Sequence, residues 1–416
     1  MKLKQIALAA AVVAASSAAL ADVTVYGVAD VNVNNSKAEV GSKPFAALGD
    51  GLTPAAGATD AIAAKAALIT TLPSASARTG QGRIGSGGLS TSRIGFKGSE
   101  DLGGGMQASF QLEGKLDLDT GKNANYDGGF FGRQSWVGLT GNFGTVQLGK
   151  TWTSFDDVAG SFNHADNTNV SVTGAVWDAF DGNYDSNTAN QVKYTLPLSG
   201  GLTASIGYAF GENKTGATTT TEGNKADNTV SLGVKYEAGP LAVGYAYQTE
   251  DINVSGASDS TRFNLIGGSF DLGAAKLVGS WSDAKTTQSA SAGYKTSIAA
   301  IAAQFTNLTA PQQTQVANAL LANSKANRYQ LGVAFPMGAS NLYFGYADSS
   351  ESRGGKKIGD ANGYVLAATY SLSKRTTAYA GYTSVKATLN KDAVYTGQAQ
   401  ISGKSTKTVA GIRHAF

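Results

Sequence analysis

The chain has 416 residues, a formal net charge of +3, 53 glycines, seven prolines and no cysteine. The lack of cysteine excludes disulfide bridges, zinc–thiolate sites and thiol nucleophiles, and the small net charge gives no indication of a nucleic-acid partner. Abundant glycine and scarce proline are typical of strands joined by tight turns. After residue 21 the sequence has no run of about 18 apolar residues, so it predicts no helical membrane span.

Residues 1–21 have the parts of a secretory signal peptide. Two lysines precede an apolar run, residues 6–15, and the small-residue cleavage site Ala-Leu-Ala follows at residues 19–21. A transmembrane helix needs about 20 apolar residues, and two serines interrupt this run too early. We therefore expect an exported protein whose mature part is residues 22–416.

Residues 90–118 show the pattern that the rest of the chain repeats. Ile94 and Phe96 alternate with Arg93 and Lys97, and the same alternation resumes after a glycine-rich break. This pattern predicts a tight β-hairpin with one apolar face and one polar face. Because the pattern recurs along almost the whole chain, and its polar face carries charges, glycines and small hydroxyls, we infer lipid outside and water inside.

The alternation predicts about sixteen strands. They are residues 23–34, two strands within 90–118, then 131–140, 145–151, 192–196, 202–210, 230–236, 241–247, 261–271, 275–283, 328–336, 342–349, 363–372, 376–385 and 407–416. That number is typical of a barrel with a water-filled channel. The predicted fold class is all-β, a transmembrane antiparallel up-and-down β-barrel, and a soluble β-protein is the alternative.

The connections alternate in length. Those after even-numbered strands are a few residues long, whereas those after odd-numbered strands are long, notably 35–89 and 285–327. Membrane barrels have this asymmetry, with short periplasmic turns and long extracellular loops. Alanine-rich pieces in these two loops predict a short helix within 55–72 and two helices within 297–326, the latter against an alternative of a disordered loop.

Aromatic residues near strand ends favour a membrane setting over a soluble core. They lie on the apolar faces, as an interfacial girdle does, and are Tyr208, Phe210, Tyr236, Phe335, Tyr364 and Tyr370. Two positions leave the facing of strands open. Turning Arg133 inward also turns Val137 and Leu139 inward, and facing Leu148 to lipid places Lys150 there too, unless a bulge intervenes.

Several motifs together resemble the general porins of β-proteobacteria and Neisseria. They are residues 92–98 (SRIGFKG), 100–103 (EDLG), 133–139 (RQSWVGL), 142–144 (NFG), 148–150 (LGK) and 411–416 (GIRHAF). The resemblance implies a homotrimer of sixteen-stranded barrels in the outer membrane, with the third outer loop, residues 152–188, folded into the lumen. Lys150 stands where the family usually has arginine, so the charge is kept and the planar fork is lost.

Alternation and the resemblance together predict a pore constriction. Alternation turns Arg93 and Lys97 toward the lumen, and the resemblance implies basic residues at the positions of Arg93 and Arg133. The predicted wall residues are Arg93, Lys97, Glu113, Arg133 and Lys150, and the opposing loop acids are Asp156, Asp157, Asp166, Asp178, Asp181 and Asp185. Opposed charges across a narrow wet gap set up a transverse field. The alternative is that these charges are merely solvated.

The last strand carries a predicted assembly signal. Ala410, Ile412, His414 and Phe416 share one face and end on an aromatic residue, which resembles the signal read by the machinery that inserts outer-membrane barrels. The alternative is that Phe416 is only a girdle residue. The expected partners are other copies of the chain, outer-membrane lipid and lipopolysaccharide, this machinery, and small hydrophilic solutes and ions.

Four motifs suggest other chemistry and are rejected. Residues 144–151 match a P-loop, but Val146 and Leu148 alternate as in a strand and the residues that follow show no helical period. Residues 80–85 match a dinucleotide fingerprint without the strand and helix that it needs. Residues 181–187 open like a calcium loop but lack its glycine and its glutamate. His164 is the one histidine placed for a barrel-lipase triad, and the chain has too few histidines for a metal site within the strands.

We therefore expect an outer-membrane diffusion channel that has no cofactor or metal and is not an enzyme. The rival hypothesis is a barrel with a plugged lumen that serves as an adhesin or carries an anchored enzyme in its loops. Single-channel conductance would distinguish the two, because only the open barrel conducts.

Overall fold

The structure is a computed structural model. It describes residues 22–40, 78–123, 129–163, 169–177, 179, 184–211, 228–254, 257–290, 292–303, 310–390 and 401–416. The predicted signal peptide, residues 1–21, and the predicted short helix within 55–72 lie outside the described residues.

The described chain is a β-barrel with four helices in its long loops. The strands are β1 (Asp22–Val40), β2 (Arg78–Ser86), β3 (Arg93–Gly103), β4 (Met106–Asp117), β5 (Lys122–Asn123), β6 (Gln134–Gly141), β7 (Gly144–Trp152), β8 (Asn187–Pro197), β9 (Leu202–Phe210), β10 (Asn228–Ala238), β11 (Leu241–Val254), β12 (Ala257–Asp271), β13 (Lys276–Ala290), β14 (Ser324–Met337), β15 (Ser340–Arg353), β16 (Lys356–Ser371), β17 (Thr376–Leu389) and β18 (Ile401–Ala415). The helices are α1 (Ser154–Ser161), α2 (Thr173–Trp177), α3 (Ala292–Ala303) and α4 (Ala310–Leu320).

Sixteen of these strands close an antiparallel barrel, as predicted. Consecutive wall strands pair with one another, and β1 pairs with β18 to close the circle. At this seam the backbone groups of Gly27 and Phe416 exchange two hydrogen bonds of 3.1 Å. The other two strands add to the wall: β2 pairs with the outer part of β1, and the two-residue β5 pairs with β4.

The two ends of the barrel differ, as an up-and-down membrane barrel requires. Tight turns join β3 to β4, β6 to β7 and each later pair of that parity, at the end that also holds Phe416. At the other end, the prediction that every connection is long is wrong twice. β11 ends at Val254 and β12 starts at Ala257, its partner in the ladder, and Gly354 and Gly355 join β15 to β16. These strands of 14–16 residues continue beyond the apolar band, so the predicted loops are extended hairpins.

The long connection between β13 and β14 contains two helices, α3 and α4, as the spacing of apolar residues predicts. It is shorter than predicted, because β13 runs to Ala290 and β14 starts at Ser324. In the described part of the chain, no helix has the length and apolar character needed to cross a membrane.

Strand alternation separates an apolar outer surface from a polar lumen. Val23, Val25, Val31 and Val33 on β1 are all at least 40% exposed, while Asp30, Asn32 and Asn34, which have the opposite parity, are at most 5% exposed. The six predicted girdle aromatics are all exposed on the outer surface, from 37% for Tyr236 to 54% for Phe210. An exposed apolar band of this kind is stable in lipid and costly in water.

Candidate functional site

The long connection between β7 and β8 crosses the inside of the barrel. Its helix α1 packs against β10, β11 and β12, and its helix α2 packs against β15, β16 and β17. Between the helices, Asn169 reaches the opposite wall, where its backbone N–H donates to Leu89 O at 2.8 Å. The third outer loop therefore lies in the lumen, as the resemblance implies.

Helix α1 contradicts the expectation that no helix follows Trp152. Thr153 caps it, because its Oγ1 accepts a hydrogen bond of 3.2 Å from Asp156 N. Phe155, Val158 and Ala159 lie on one face of the helix and are buried against the wall. Eight residues are too short for a period to be read from sequence, so the helix is stabilised by packing.

Glycines on the lumen face of β10, β11 and β12 make room for α1. A Cβ at Gly233 would lie 2.5 Å from Ser154 O, and one at Gly267 would lie 2.4 Å from the Phe162 ring. Gly244 lies between them in the ladder, opposite Gly267, and a Cβ there would lie 2.8 Å from the same ring. We call these three residues the glycine seat. It lets Phe162 reach 0% exposure in what would otherwise be an open wet lumen.

Polar contacts hold the same loop at several points. Lys193 on β8 forms an ion pair with Asp157 and donates to Trp152 O at 3.1 Å. Gln330 on β14 donates to Phe162 O at 2.9 Å and accepts from Thr173 Oγ1 at 2.7 Å. These contacts hold the loop near α1 and near α2. Lys193 was not among the predicted site residues, because nothing in the sequence relates β8 to α1.

Basic residues of the predicted wall set do meet in the structure. Arg93 Nε lies 3.3 Å from one carboxylate oxygen of Glu113, and Arg133 Nε lies 2.6 Å from the other. Glu113 is 4% exposed, so its charge is shielded from the lumen by the two guanidinium groups. Arg93 also lies close enough to Arg413 on β18 for their charges to repel.

Tyr26 on β1 connects Lys97 to this cluster. Its hydroxyl donates to Glu113 Oε2 at 2.9 Å and accepts from Gln111 Nε2 at 2.6 Å. The Lys97 ammonium lies 5.2 Å from the centre of the Tyr26 ring, within the range of a cation–π contact. Four of the five predicted wall residues, Arg93, Lys97, Glu113 and Arg133, are therefore linked through one network.

The uncertain facing of Arg133 is resolved because β6 starts one residue later. Arg133 precedes the strand, so its side chain reaches Glu113 while Val137 and Leu139 face outward, 61% and 44% exposed. Its guanidinium lies 5.1 Å from the ring centre of Trp152. Lys150 pairs with Ser135 in the ladder between β6 and β7. The register shift between β7 and β8 places its extra residue in β8. Strand β7 therefore has no bulge at Lys150.

The loop acids have separate partners. Asp156 accepts a 2.9 Å hydrogen bond from Tyr184 through Oδ1, Asp157 pairs with Lys193, and Asp185 is held through its backbone N–H by Glu250 at 2.7 Å. Burial and the neighbouring Asp157 raise the pKa of Asp156 to about 7, against the opposing effects of the Tyr184 hydrogen bond, Lys193 and Arg133. The remaining predicted acids, Asp166, Asp178 and Asp181, lie outside the described residues.

The rejected motifs have structural explanations where they are described. Residues 144–151 belong to strand β7, so they form no phosphate-binding loop, although α1 does follow. Residues 80–85 belong to β2. His164 and residues 181–183 lie outside the described residues. Within the described ranges, no three His, Cys, Asp or Glu side chains are grouped to hold a metal ion.

The residues of the predicted assembly signal lie together on the outer face of β18. Ile412 is 55% exposed and Phe416 49% exposed, and His414 is exposed beside them, with Nδ1 at 2.9 Å from Thr376 Oγ1. The Phe416 ring covers Gly27 at the seam, where an added Cβ would lie 2.4 Å from it.

The comparisons with known proteins agree with this architecture. A family profile described as Gram-negative porin matches residues 7–390. This chain belongs to the Gram-negative porin family. The porin is 30% identical to outer membrane porin protein 32 of Delftia acidovorans over 347 residues, 80% of this chain and 87% of that protein. It is 32% identical to an outer membrane porin protein of Bordetella pertussis over 350 residues, 78% of this chain and 82% of that protein.

A solved structure extends the likeness to almost the whole porin. An anion-selective porin from Comamonas acidovorans superimposes with a TM-score of 0.65 and 26% identity, over 95% of this chain and all of that one. The resemblance to general porins is therefore confirmed. The protein is a multi-pass barrel of the outer membrane and a channel rather than an enzyme.

Proposed function

We propose that this porin forms homotrimers whose barrels pass small hydrophilic solutes and ions, with a preference for anions. The observation that carries the proposal is the basic cluster around Glu113. Arg93, Arg133 and Lys97 belong to it, Arg413 lies beside it, and Glu113 is the carboxylate that pairs with both Arg93 and Arg133. Because Glu113 is bonded to two arginines, the cluster keeps a net positive charge.

Charge in a narrow lumen acts strongly on passing ions. Walls of low dielectric focus the field, so a few fixed cations raise the local concentration of anions and lower that of cations. Arg133 lies where this loop leaves the wall, because its guanidinium is 5.1 Å from the ring centre of Trp152 at the end of β7. The anion selectivity of the Comamonas acidovorans porin, which is 26% identical, supports the same direction here.

The test neutralises two cluster arginines together, Arg93→Gln with Arg133→Gln. We expect the reversal potential under a salt gradient to move toward the cation side, and more so at low salt, since the screening length grows from about 3 Å at 1 M to about 30 Å at 0.01 M. The control is Lys374→Gln with Arg375→Gln, which removes the same charge from an exposed turn between β16 and β17.

Two outcomes would contradict the proposal. An unchanged reversal potential at both salt concentrations would remove Arg93 and Arg133 from the selectivity filter. Wild-type protein that inserts into planar bilayers without conductance steps would instead favour the plugged barrel, used as an adhesin or anchored enzyme. The trimer is tested separately, by the mass of the detergent-solubilised protein before and after heating.

A further inference from the structure

The chain leaves the barrel wall between β2 and β3 and enters the lumen. β3 pairs with residues 22–28 of β1 and β2 pairs with residues 31–38, and residues 87–92 between them form a segment that we call the inner bulge. A Cβ at Gly88 would lie 2.2 Å from the hydroxyl of Tyr379 and 2.7 Å from Asn32 Nδ2. Both of those side chains face the lumen, so the inner bulge lies on the inside of β1 and β17.

One buried carboxylate holds the inner bulge. Asp30 is 0% exposed, and its Oδ2 accepts hydrogen bonds from Leu89 N at 2.8 Å and Ser90 N at 2.7 Å. Its Oδ1 accepts from Gly88 N at 3.0 Å and from the Tyr379 hydroxyl at 2.5 Å. An ionised carboxylate only accepts, so all four donors suit it, and bonds to a charged acceptor are stronger than neutral ones.

The inner bulge in turn holds both sides of the lumen constriction. The loop tip docks on it through Asn169, whose Nδ2 donates to Gly87 O at 2.8 Å in addition to the backbone bond to Leu89. On the wall side, Arg413 Nε donates to Ser90 Oγ at 2.9 Å and Arg93 Nη1 donates to Thr91 O at 2.9 Å. A shift of the inner bulge would therefore move the loop and two arginines together.

We propose that Asp30 is a positioning residue of the channel, which sets its width and its anion preference by fixing the inner bulge. The inference rests on the proposed function, since it concerns how the basic cluster is aimed. Asparagine cannot replace Asp30 here. Whichever way it turned, its amide NH2 would face at least one backbone N–H, that of Gly88 on one side or those of Leu89 and Ser90 on the other, and leave that buried donor without an acceptor.

Replacing Asp30 distinguishes a positioning role from a simple charge effect, because the two predict opposite changes in anion preference. Removing a lumen carboxylate by its charge alone makes the lumen more positive and raises anion preference. Loss of positioning spreads Arg93 and Arg413 and frees the loop tip, so Asp30→Asn should lower anion preference and raise single-channel conductance. Asp117→Asn on β4 is the control, because Asp117 shares the strand parity of Glu113 and lies at the end of β4, paired with Lys122 of β5 rather than with β1.

Two variants keep every charge and guard against misfolding of Asp30→Asn. Tyr379→Phe removes one hydrogen bond to Asp30, and Asn169→Ala releases the loop tip from the inner bulge. Both should raise conductance and lower anion preference, by less than Asp30→Asn does. Heat-modifiable migration on gels checks that each barrel is folded.

The outcomes separate this inference from the proposed function. If wild type prefers anions and Asp30→Asn raises that preference, or if both charge-neutral variants behave as wild type, the inference is overturned and the proposed function stands. If wild type shows no anion preference, the proposed function fails on its own. Wider, less anion-selective channels in the folded variants would support the positioning role.

Discussion

Two parts of the lumen wall hold the same loop by different physical means. On β10, β11 and β12 the glycine seat receives Val158 and Phe162, and contact there is mainly a matter of shape and apolar burial. On the side of β1, β3 and β18 the loop tip rests on the inner bulge, and that contact is made of hydrogen bonds that begin at the Asp30 carboxylate. The first side excludes water, and the second arranges charge.

This difference indicates a division of labour within one barrel. Apolar packing involves no charges to screen or titrate, so the side of the glycine seat is suited to fixing the width of the passage. Charged groups in a wet lumen act over a distance that depends on ionic strength. The side of β1, β3 and β18, which carries Arg93 and Arg413 and is called the arginine side, is therefore suited to choosing which ions pass. Substitutions on the side of the glycine seat should therefore change mainly the single-channel conductance, and substitutions on the arginine side mainly the reversal potential.

The largest effect is expected at the seam of the arginine side. Deleting Phe416 removes both backbone hydrogen bonds to Gly27 and the ring that covers it, where β1 and β18 close the barrel. We expect a severe loss of folded barrel, measured as the heat-modifiable band in outer-membrane preparations. Phe416→Tyr, which keeps the ring and the backbone, is the control and should assemble. Wild-type levels of folded barrel after the deletion would leave Phe416 as a girdle residue only.

A smaller effect is expected from overfilling the glycine seat. Gly267→Val puts atoms where the Phe162 ring lies, and overpacking of this kind costs about 1–3 kcal/mol. The helix α1 should lift from the wall, so single-channel recordings should show altered conductance and more frequent fluctuations, with little change in ion preference.

Gly268→Val is the matched control for this experiment. Gly268 is the next residue and faces outward, where a Cβ would make ordinary contact with Val243 at 3.5 Å. It should leave the recordings unchanged. Equal effects from both variants would show that the strand, rather than the seat, is what valine disturbs.

The smallest effect is a pH dependence from Asp156. The pKa of this carboxyl is raised to about 7, chiefly by burial, so it is neutral below that pH and charged above it. As pH falls through 7 the loop loses one negative charge within electrostatic range of Lys193 and Arg133, so anion preference should rise. The same shift makes the docked loop more stable below pH 7, where the carboxyl need not ionise.

Reversal potentials at pH 6 and pH 8 measure this step. Asp156→Asn should remove it and hold the channel in its low-pH behaviour at both values. Asp157→Asn is the comparison, because Asp157 is paired with Lys193 and is the exposed member of the two neighbours. A step of the same size in Asp156→Asn would assign the titration to another group.

Much of the barrel could be predicted from local pattern. A period of two residues shows which side chains share a face, so it correctly turned Arg93 and Lys97 inward and the six girdle aromatics outward. The two exceptions have local causes. Arg133 does not follow the parity of β6 because the strand begins after it. Strands β11, β12, β15 and β16 extend beyond the apolar band, where the apolar alternation that marks a strand is no longer required.

The candidate site could be predicted only in part, because its contacts join distant segments. The sequence by itself predicted the family, the sixteen strands, the lumen-facing Arg93 and, through the resemblance, the loop that enters the barrel. The tertiary structure decided that Asp157 meets Lys193, that Phe162 rests on Gly244 and Gly267, and that Asp30 holds the inner bulge. Alternation predicts which face of a strand a side chain lies on, but not which residue it contacts across the lumen. That contact depends on the path of the loop between β7 and β8 through the lumen and on which wall strands lie next to it in the closed barrel.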